Sequence, residues 1–364
     1  MPRTDRECLI GLNLIETMTP RRMRAILERF PSPAAAWRAA DREFLRIPEL
    51  KEVADRIAGG RSDATLEREL AVAADHGLEI LTVLDPGYPP SLRRLATPPA
   101  VLYVRGTPGI ETARSIAIVG TRRCSRYGRA VARRLAGDLV NLGLTVVSGL
   151  AVGIDGAAHR GALESEGKTV AVLGCGLLQT YPAVHRDLAD RIAESGALVS
   201  EYPLDMKPAR WTFPQRNRIL AGLSRGVVVI EAPQRSGALI TVRCALDQGK
   251  EVFAVPGNIT GTASAGTNRL IKDGAKLVEG VEDILNEFPD LAGLLPQRST
   301  EAAEATLSAM QRAVHDLIGL EPIHLDDIIA RGRLSPGDAA RTVFELQMME
   351  LIEEAEGRRY VRKP

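Results

Sequence analysis

Six short runs of β-branched and aliphatic residues constrain this 364-residue chain more than any other feature. They are SIAIVG (115–120), LTVVSG (144–149), TVAVLG (169–174), ALVSEY (197–202), GVVVIE (226–231) and EVFAVPG (251–257). Each ends in glycine or a polar turn and is followed by an amphipathic helical stretch. The runs are largely continuous in apolar character rather than alternating, so each strand needs cover on both faces. Strands alternating with helices provide that cover in a parallel sheet with helices on its two sides, an α/β core. Ligands of such sheets sit beyond the carboxyl ends of the strands, near the point where strand order reverses.

The flanking segments read differently. Residues 1–80 carry helical periodicity without strand signals. Thr19 is placed to cap a helix that has Pro20 at its first position and Met23, Ile26 and Leu27 behind it. A small helical module is expected there, of SAM-like or helix-hairpin-helix type. The core is expected over 81–285, opening with a proline-studded lead-in and a short strand, VLYVRG. Residues 286–303 read as a linker. Over 304–364, three helical stretches and a hairpin (EEAEGRRYVRK) predict a winged-helix-like domain. Its expected recognition helix holds Asp338, Arg341, Glu345 and Glu350, a net negative set unsuited to phosphate. A protein-contact or structural role is therefore favoured, although Arg358, Arg359 and Arg362 on the wing keep DNA contact open.

Cys8, Cys124, Cys175 and Cys244 are scattered, with no C-x-x-C and no histidine at ligand spacing. They are expected as reduced core thiols, with no disulfide frame and no metal site. No secretory leader and no membrane-length apolar run is seen, so the chain is expected in the cytoplasm. The formal net charge of +1 hides an asymmetry. Residues 114–134 contain seven arginines and no acid, while seven basic residues between 205 and 243 are opposed only by Asp205 and Glu231. Local positive fields of this kind suit a polyanion. Arg129, Arg133 and Arg134 fall at helical spacing and are read as surface decoration.

The strand ends carry the chemistry. After the first run, Gly120 permits close backbone approach, the amides of 121–123 can face a phosphate, and Arg122 adds a bidentate charge. Ser148 and Gly149 repeat the pattern. Asp155 and His159 lie i, i+4 on the following helix; an N-terminal Asp with a neighbouring His is commoner than an acid–base pair, so no catalytic role is assigned. LGCGLLQTYP has Gln179 where a dinucleotide fingerprint needs its third glycine, so no NAD site is expected, but close approach to some other phosphate survives. In FPQRNRIL, Pro214 is expected near the first helical turn, so that Gln215–Arg218 offer free amides along with the side chains of Arg216, Asn217 and Arg218. Arg210 and Trp211 precede them; Phe213 is expected in the core. Ser236 and Gly237 open a further helix, and the PGN and GTNRLIKDGA segments add small-residue turns. A whole rim of such turns points to a polymeric anion rather than a mononucleotide.

In order along the chain, Asp85, Tyr88 and Pro89, then IVGTR, SGLAVGIDGAAH, GKTVAVLGCG, YP (181–182), SEYP, FPQRNR, SGALIT, VPGN and GTNRLIKDGA resemble the DprA family (also called Smf), bacterial DNA-processing proteins of natural transformation. The match covers about residues 81–280. It implies an extended Rossmann-like core that binds single-stranded DNA without sequence preference, forms homodimers, and loads the RecA recombinase in opposition to single-strand-binding protein. It implies no catalytic activity and no cofactor. The family's DNA pocket uses the G-[ST]-R turn, here Gly120, Thr121 and Arg122, and a basic residue before F-P-x-R-N-R, here Arg210. The alternative is a phosphoribohydrolase-like enzyme on a related sheet, but its P-G-G-x-G-T-x-x-E signature is replaced here by EAPQRSGALIT. A transcription factor reading DNA through the winged helix is the other competitor.

Overall fold

The computed structural model describes residues 3–107, 112–294, 307–319, 321–349, 351–355 and 357–362. All six runs form strands of one nine-stranded sheet, with order β1-β2-β6-β5-β4-β3-β7-β8-β9. The strands are β1 (Glu79–Thr82), β2 (Val101–Gly106), β3 (Ser115–Val119), β4 (Thr145–Ser148), β5 (Thr169–Val172), β6 (Ala197–Ser200), β7 (Gly226–Val229), β8 (Glu251–Ala254) and β9 (Lys276–Leu277). β3 to β9 run parallel, whereas β1 and β2 are antiparallel and close one edge. Every residue of β3 to β7 is buried, as strands covered on both faces require. One face packs on helices Thr212–Gly222 and Ala238–Asp247 through Val119, Val172, Val229, Ile219 and Val242.

The chain winds outward from β3 through β4, β5 and β6, then returns to place β7 on the other side of β3. Connections diverge at that reversal, and a crevice opens between the carboxyl ends of β3 and β7.

The first 289 residues form one compact unit. Thr19 caps helix Pro20–Arg29 by accepting from the Arg22 amide, with Pro20 at its first position. The expected separation at residue 80 does not match the packing. β1 straddles that position, and Leu9, Ile10, Ile26 and Phe44 share a core with Tyr103, Leu173 and Leu198 of the sheet region. The helices provide cover that the sheet edge otherwise lacks, each buried Leu, Ile or Phe contributing about 1.5–3 kcal/mol.

The second unit starts at Asp290. The expected linker lies outside the described residues from 295 onward. Helices Ala309–Leu317, Leu325–Gly332 and Pro336–Met348 pack with a small sheet of β10 (Ile323–His324), β11 (Ile352–Ala355) and β12 (Arg359–Arg362) around Val314, Ile328, Val343, Leu346 and Tyr360. Ser335 caps the third helix, its hydroxyl accepting from the Asp338 amide. Glu345 pairs with Arg341 and Gln311; Glu350 is outside the described residues. Of the wing arginines, Arg362 is turned inward and donates to the carbonyls of Ile318 (3.1 Å) and His315 (2.7 Å).

Candidate nucleic-acid interface

A cavity of about 600 Å³ occupies the crevice at the strand-order reversal. Its charged lining consists of Arg122, Arg123, Arg210, Arg216 and Arg235, opposed among the lining residues by Asp155 alone. Five elements supply these side chains: the turn after β3 (Arg122, Arg123), the segment leading into helix Thr212–Gly222 (Arg210), that helix itself (Arg216), the turn after β7 (Arg235) and helix Ile154–Glu164 (Asp155).

The turn after β3 is rigid because its polar groups are internally satisfied. The Thr121 amide donates to Glu231 O (2.8 Å) and the Arg123 amide to Thr121 Oγ1 (3.2 Å). Two of the three amides expected to face a phosphate are thus committed to the fold. Glu231 is buried, and its carboxylate accepts from the amide (2.8 Å) and hydroxyl (2.6 Å) of Ser125, which caps helix Arg126–Asn141. An acid near the positive end of a helix is stabilised there, and this one is thereby kept out of the cavity lining. Gly153, with φ +89°, sits against this turn: a Cβ there would lie 2.7 Å from Arg122 O, so only glycine allows the approach. Held this way, the exposed Arg122 side chain lies over the Phe213 ring, 5.2 Å from its centroid.

The RNR segment departs from expectation. Its helix starts at Thr212, two residues before Pro214. Only the first turn of a helix has unbonded N–H groups, so the amides of Arg216 to Arg218 belong to the helical ladder instead of facing solvent. The side chains diverge too. Asn217 and Arg210 line the cavity, Arg210 being exposed. Arg216 is buried at 5% exposure and donates to Val172 O, which makes it part of the cavity wall rather than a mobile clamp. Arg218 is corrected outright: it is not among the lining residues but forms a buried ion pair with Glu201, itself 7% exposed. Ser148 and Gly149 are likewise withdrawn, because both are buried. Ser148 Oγ donates to Ile118 O (2.6 Å), and Gly149 is backed by the guanidinium of Arg216 and the carboxylate of Asp155. Gly120, Thr121, Ser236 and Gly237 do line the cavity; the last two lead into helix Ala238–Asp247, whose first amide donates to Ser236 Oγ (3.3 Å).

Other expected phosphate turns serve packing. A Cβ at Gly176 would collide with the backbone of Pro203 and Leu204, one at Gly174 would lie 2.9 Å from Phe213, and Ser264 fills the space beside Gly257. The glycine-rich rim therefore narrows to the ends of β3 and β7.

Burial pushes the Asp155 carboxyl up to about 6, against the opposing pull of Arg216. His159 points elsewhere: its Nδ1 is 2.7 Å from Thr169 Oγ1, and burial lowers its pKa to about 3. Since Thr169 Oγ1 donates to Val146 O, it accepts from His159, which makes this a core contact separate from Asp155.

Sequence reasoning missed Tyr181 and Phe213 as lining residues. Their rings lie 5.5 Å apart, and Phe213 is half-buried beneath Arg122 instead of fully in the core. Arg123 and Arg235 were also missed, although their place within the two basic windows was a usable signal. Of the cysteines, all free, Cys8 and Cys175 are buried, whereas Cys124 and Cys244 are half-buried. Among the described residues no group of three or more His, Cys, Asp or Glu is placed to hold a metal, and no helix is long and apolar enough to cross a membrane.

Comparison with known proteins agrees with this architecture. The family described as DNA recombination-mediator protein A matches residues 79–289, and the DprA winged helix domain matches 298–358. DNA processing protein DprA of Bacillus subtilis is 38% identical over 263 residues, which is 70% of this chain and 89% of the relative. The crystal structure of DNA processing protein A from Streptococcus pneumoniae superposes with a TM-score of 0.69 and 35% identity, over 79% of this chain and 99% of that one. DNA processing protein A from Helicobacter pylori, a structure reported for its single-stranded DNA binding mode, matches with a TM-score of 0.53 and 30% identity, over 58% of this chain and 96% of that one. With its sheet region matched across more than half its length and its C-terminal unit matched as well, the chain belongs to the DNA recombination-mediator protein A (DprA/Smf) family.

Proposed function

We propose that the cavity between β3 and β7 binds single-stranded DNA without sequence preference. The observation that carries this reading is the grouping of four exposed arginines and two aromatic rings around one crevice whose wall holds the buried Arg216 and a single acid. Guanidiniums neutralise phosphates whatever the base, and aromatic faces accept any base by stacking. Gly120, Thr121, Arg122, Arg210, Asn217, Ser236 and Gly237 are the contacts kept from the sequence reading; Arg123, Arg235, Tyr181 and Phe213 are added. In the same reading the bound strand is protected and passed to RecA during natural transformation, in opposition to single-strand-binding protein. The chain acts in the cytoplasm as a homodimer and performs no catalytic step on the DNA.

Fluorescence anisotropy with labelled oligothymidylate tests the site. Arg122→Ala and Arg210→Ala are each expected to weaken binding by about 1.5–3 kcal/mol, as loss of a charged hydrogen bond does. Each also lowers the magnitude of the salt slope by about 0.7, and the effect is the same for all sequences. Unchanged affinity in the double variant, or tighter binding to duplex than to single strand, overturns the assignment. Release of ribose 5-phosphate from AMP would favour the hydrolase reading instead.

A further inference from the structure

Outside the cavity, helix Arg126–Asn141 presents Arg126, Arg129 and Arg133 at i, i+3 and i+7, hence on one face and about 4.5 and 6 Å apart along the axis. All three are exposed. Arg133 is held by Glu164, with Nε 3.0 Å from Oε2. Among the described residues, Arg126 and Arg129 have no acid within ion-pair distance. Helix Ile154–Glu164 crosses the first closely, Gly161 lying against the backbone of Arg133, and adds Arg160, whose Nη1 donates to Gly156 O (3.2 Å). Burial lowers the Arg160 pKa, and Arg133 and Arg129 lower it further. Glu164 thus neutralises Arg133 and offsets part of the repulsion on Arg160, while Arg126 and Arg129 keep uncompensated charge on the same helix face, an arrangement that a polyanion relieves.

A second observation lies beside it. Val184 is 74% exposed and Val152 is 38% exposed. Val152 follows the cavity-lining Ala151, and Val184 precedes His185, whose ring packs on Gly156 at the start of the same helix. Ser125, which caps the arginine-bearing helix, lies two residues beyond the cavity-lining Arg123. Cations and exposed apolar side chains thus follow the cavity lining along the chain, on the segments that open helices Arg126–Asn141 and Ile154–Glu164 and on the segment packed against the latter, and these are the two kinds of group by which single-strand sites take up phosphates and bases.

We propose that a DNA strand filling the cavity continues over the start of helix Ile154–Glu164, with its phosphates on Arg126, Arg129 and Arg160 and its bases against Val152 and Val184. This extension rests on the cavity being a single-stranded DNA site, and its test separates the two ideas by strand length. Binding of oligothymidylates of about four and about twenty nucleotides is compared at several salt concentrations, because short strands fill the cavity alone. Arg126→Ala/Arg129→Ala/Arg160→Ala in the full chain is expected to weaken the long strand at least about tenfold and to reduce the magnitude of its salt slope by about 2, leaving the short strand within about twofold. Arg122→Ala weakens both lengths. The replacement Arg126→Lys/Arg129→Lys/Arg160→Lys restores most of the long-strand affinity, and Arg129→Ala alone shows the same split at about threefold should the triple variant not fold. Equal loss at both lengths overturns the path while the cavity stands. Unchanged long-strand affinity also overturns it and leaves the stripe to an acidic protein surface. A wild type that binds neither length overturns the cavity reading and the path together.

Discussion

Replacing Arg218 with alanine should damage folding and not DNA affinity, although Arg218 belongs to the same RNR triplet as the cavity-lining Asn217. Its guanidinium is paired with Glu201, the two side chains being 15% and 8% exposed. Breaking such a pair from one side leaves a buried, uncompensated carboxylate, at a cost of about 3–5 kcal/mol. For a unit of nearly 300 residues this corresponds to a fall in Tm of roughly 6–10 °C, read by differential scanning calorimetry. Burial already raises the Glu201 pKa against the pull of Arg218. In the variant Glu201 takes up a proton more readily, so the penalty shrinks as pH falls. Arg218→Met combined with Glu201→Gln should recover most of the loss, since no buried charge is then unpaired. At a temperature where both proteins are folded, the variant should bind oligothymidylate like the wild type, with the same salt slope. A variant that keeps its Tm within 2 °C (small against the shift predicted above) and loses affinity as Arg122→Ala does would show that Arg218 faces DNA and that the inward assignment is wrong.

Phe213→Ala should weaken oligothymidylate binding by about 1–3 kcal/mol through loss of stacking, with little change in salt slope because no phosphate contact is removed; a slope reduced as much as by Arg122→Ala would refute a stacking role. Asp155 titrates near 6 in the cavity wall. Its carboxyl is neutral below that pH and repels phosphate above it, so affinity should rise as pH falls from 7.5 to 5.5, and Asp155→Asn should flatten the profile; an equally steep profile in the variant would assign the titration elsewhere. Gly153→Ala places a Cβ against the 121–122 turn at a positive φ, which should cost about 1–3 kcal/mol of stability and weaken binding by displacing Arg122; chemical denaturation and anisotropy on one sample would check both effects.

Much of this protein was legible in local pattern. Six apolar runs alternating with helical stretches are enough to require a parallel sheet, because the period of the side chains says how many faces must be covered. The cap at Thr19 was legible for the same reason: a cap is satisfied by amides a few residues away. Gly120, Arg122 and Arg210 were found because strand ends and basic windows mark the rim of such a sheet. The direction of the neighbouring arginines was not legible. Consecutive residues on a helix point about 100° apart, so Arg216, Asn217 and Arg218 could not all face one ligand. Where Arg216 and Arg218 point is decided by Val172 and Glu201, groups distant in sequence that the fold brings alongside. The glycines carried the same ambiguity, since a missing Cβ leaves room for a phosphate or for another segment of chain. At Gly176 the backbone of Pro203 and Leu204, and at Gly257 the side chain of Ser264, filled that room first. Local periodicity thus determined the sheet and the rim on which a ligand would sit, while long-range contacts alone selected the side chains that reach it.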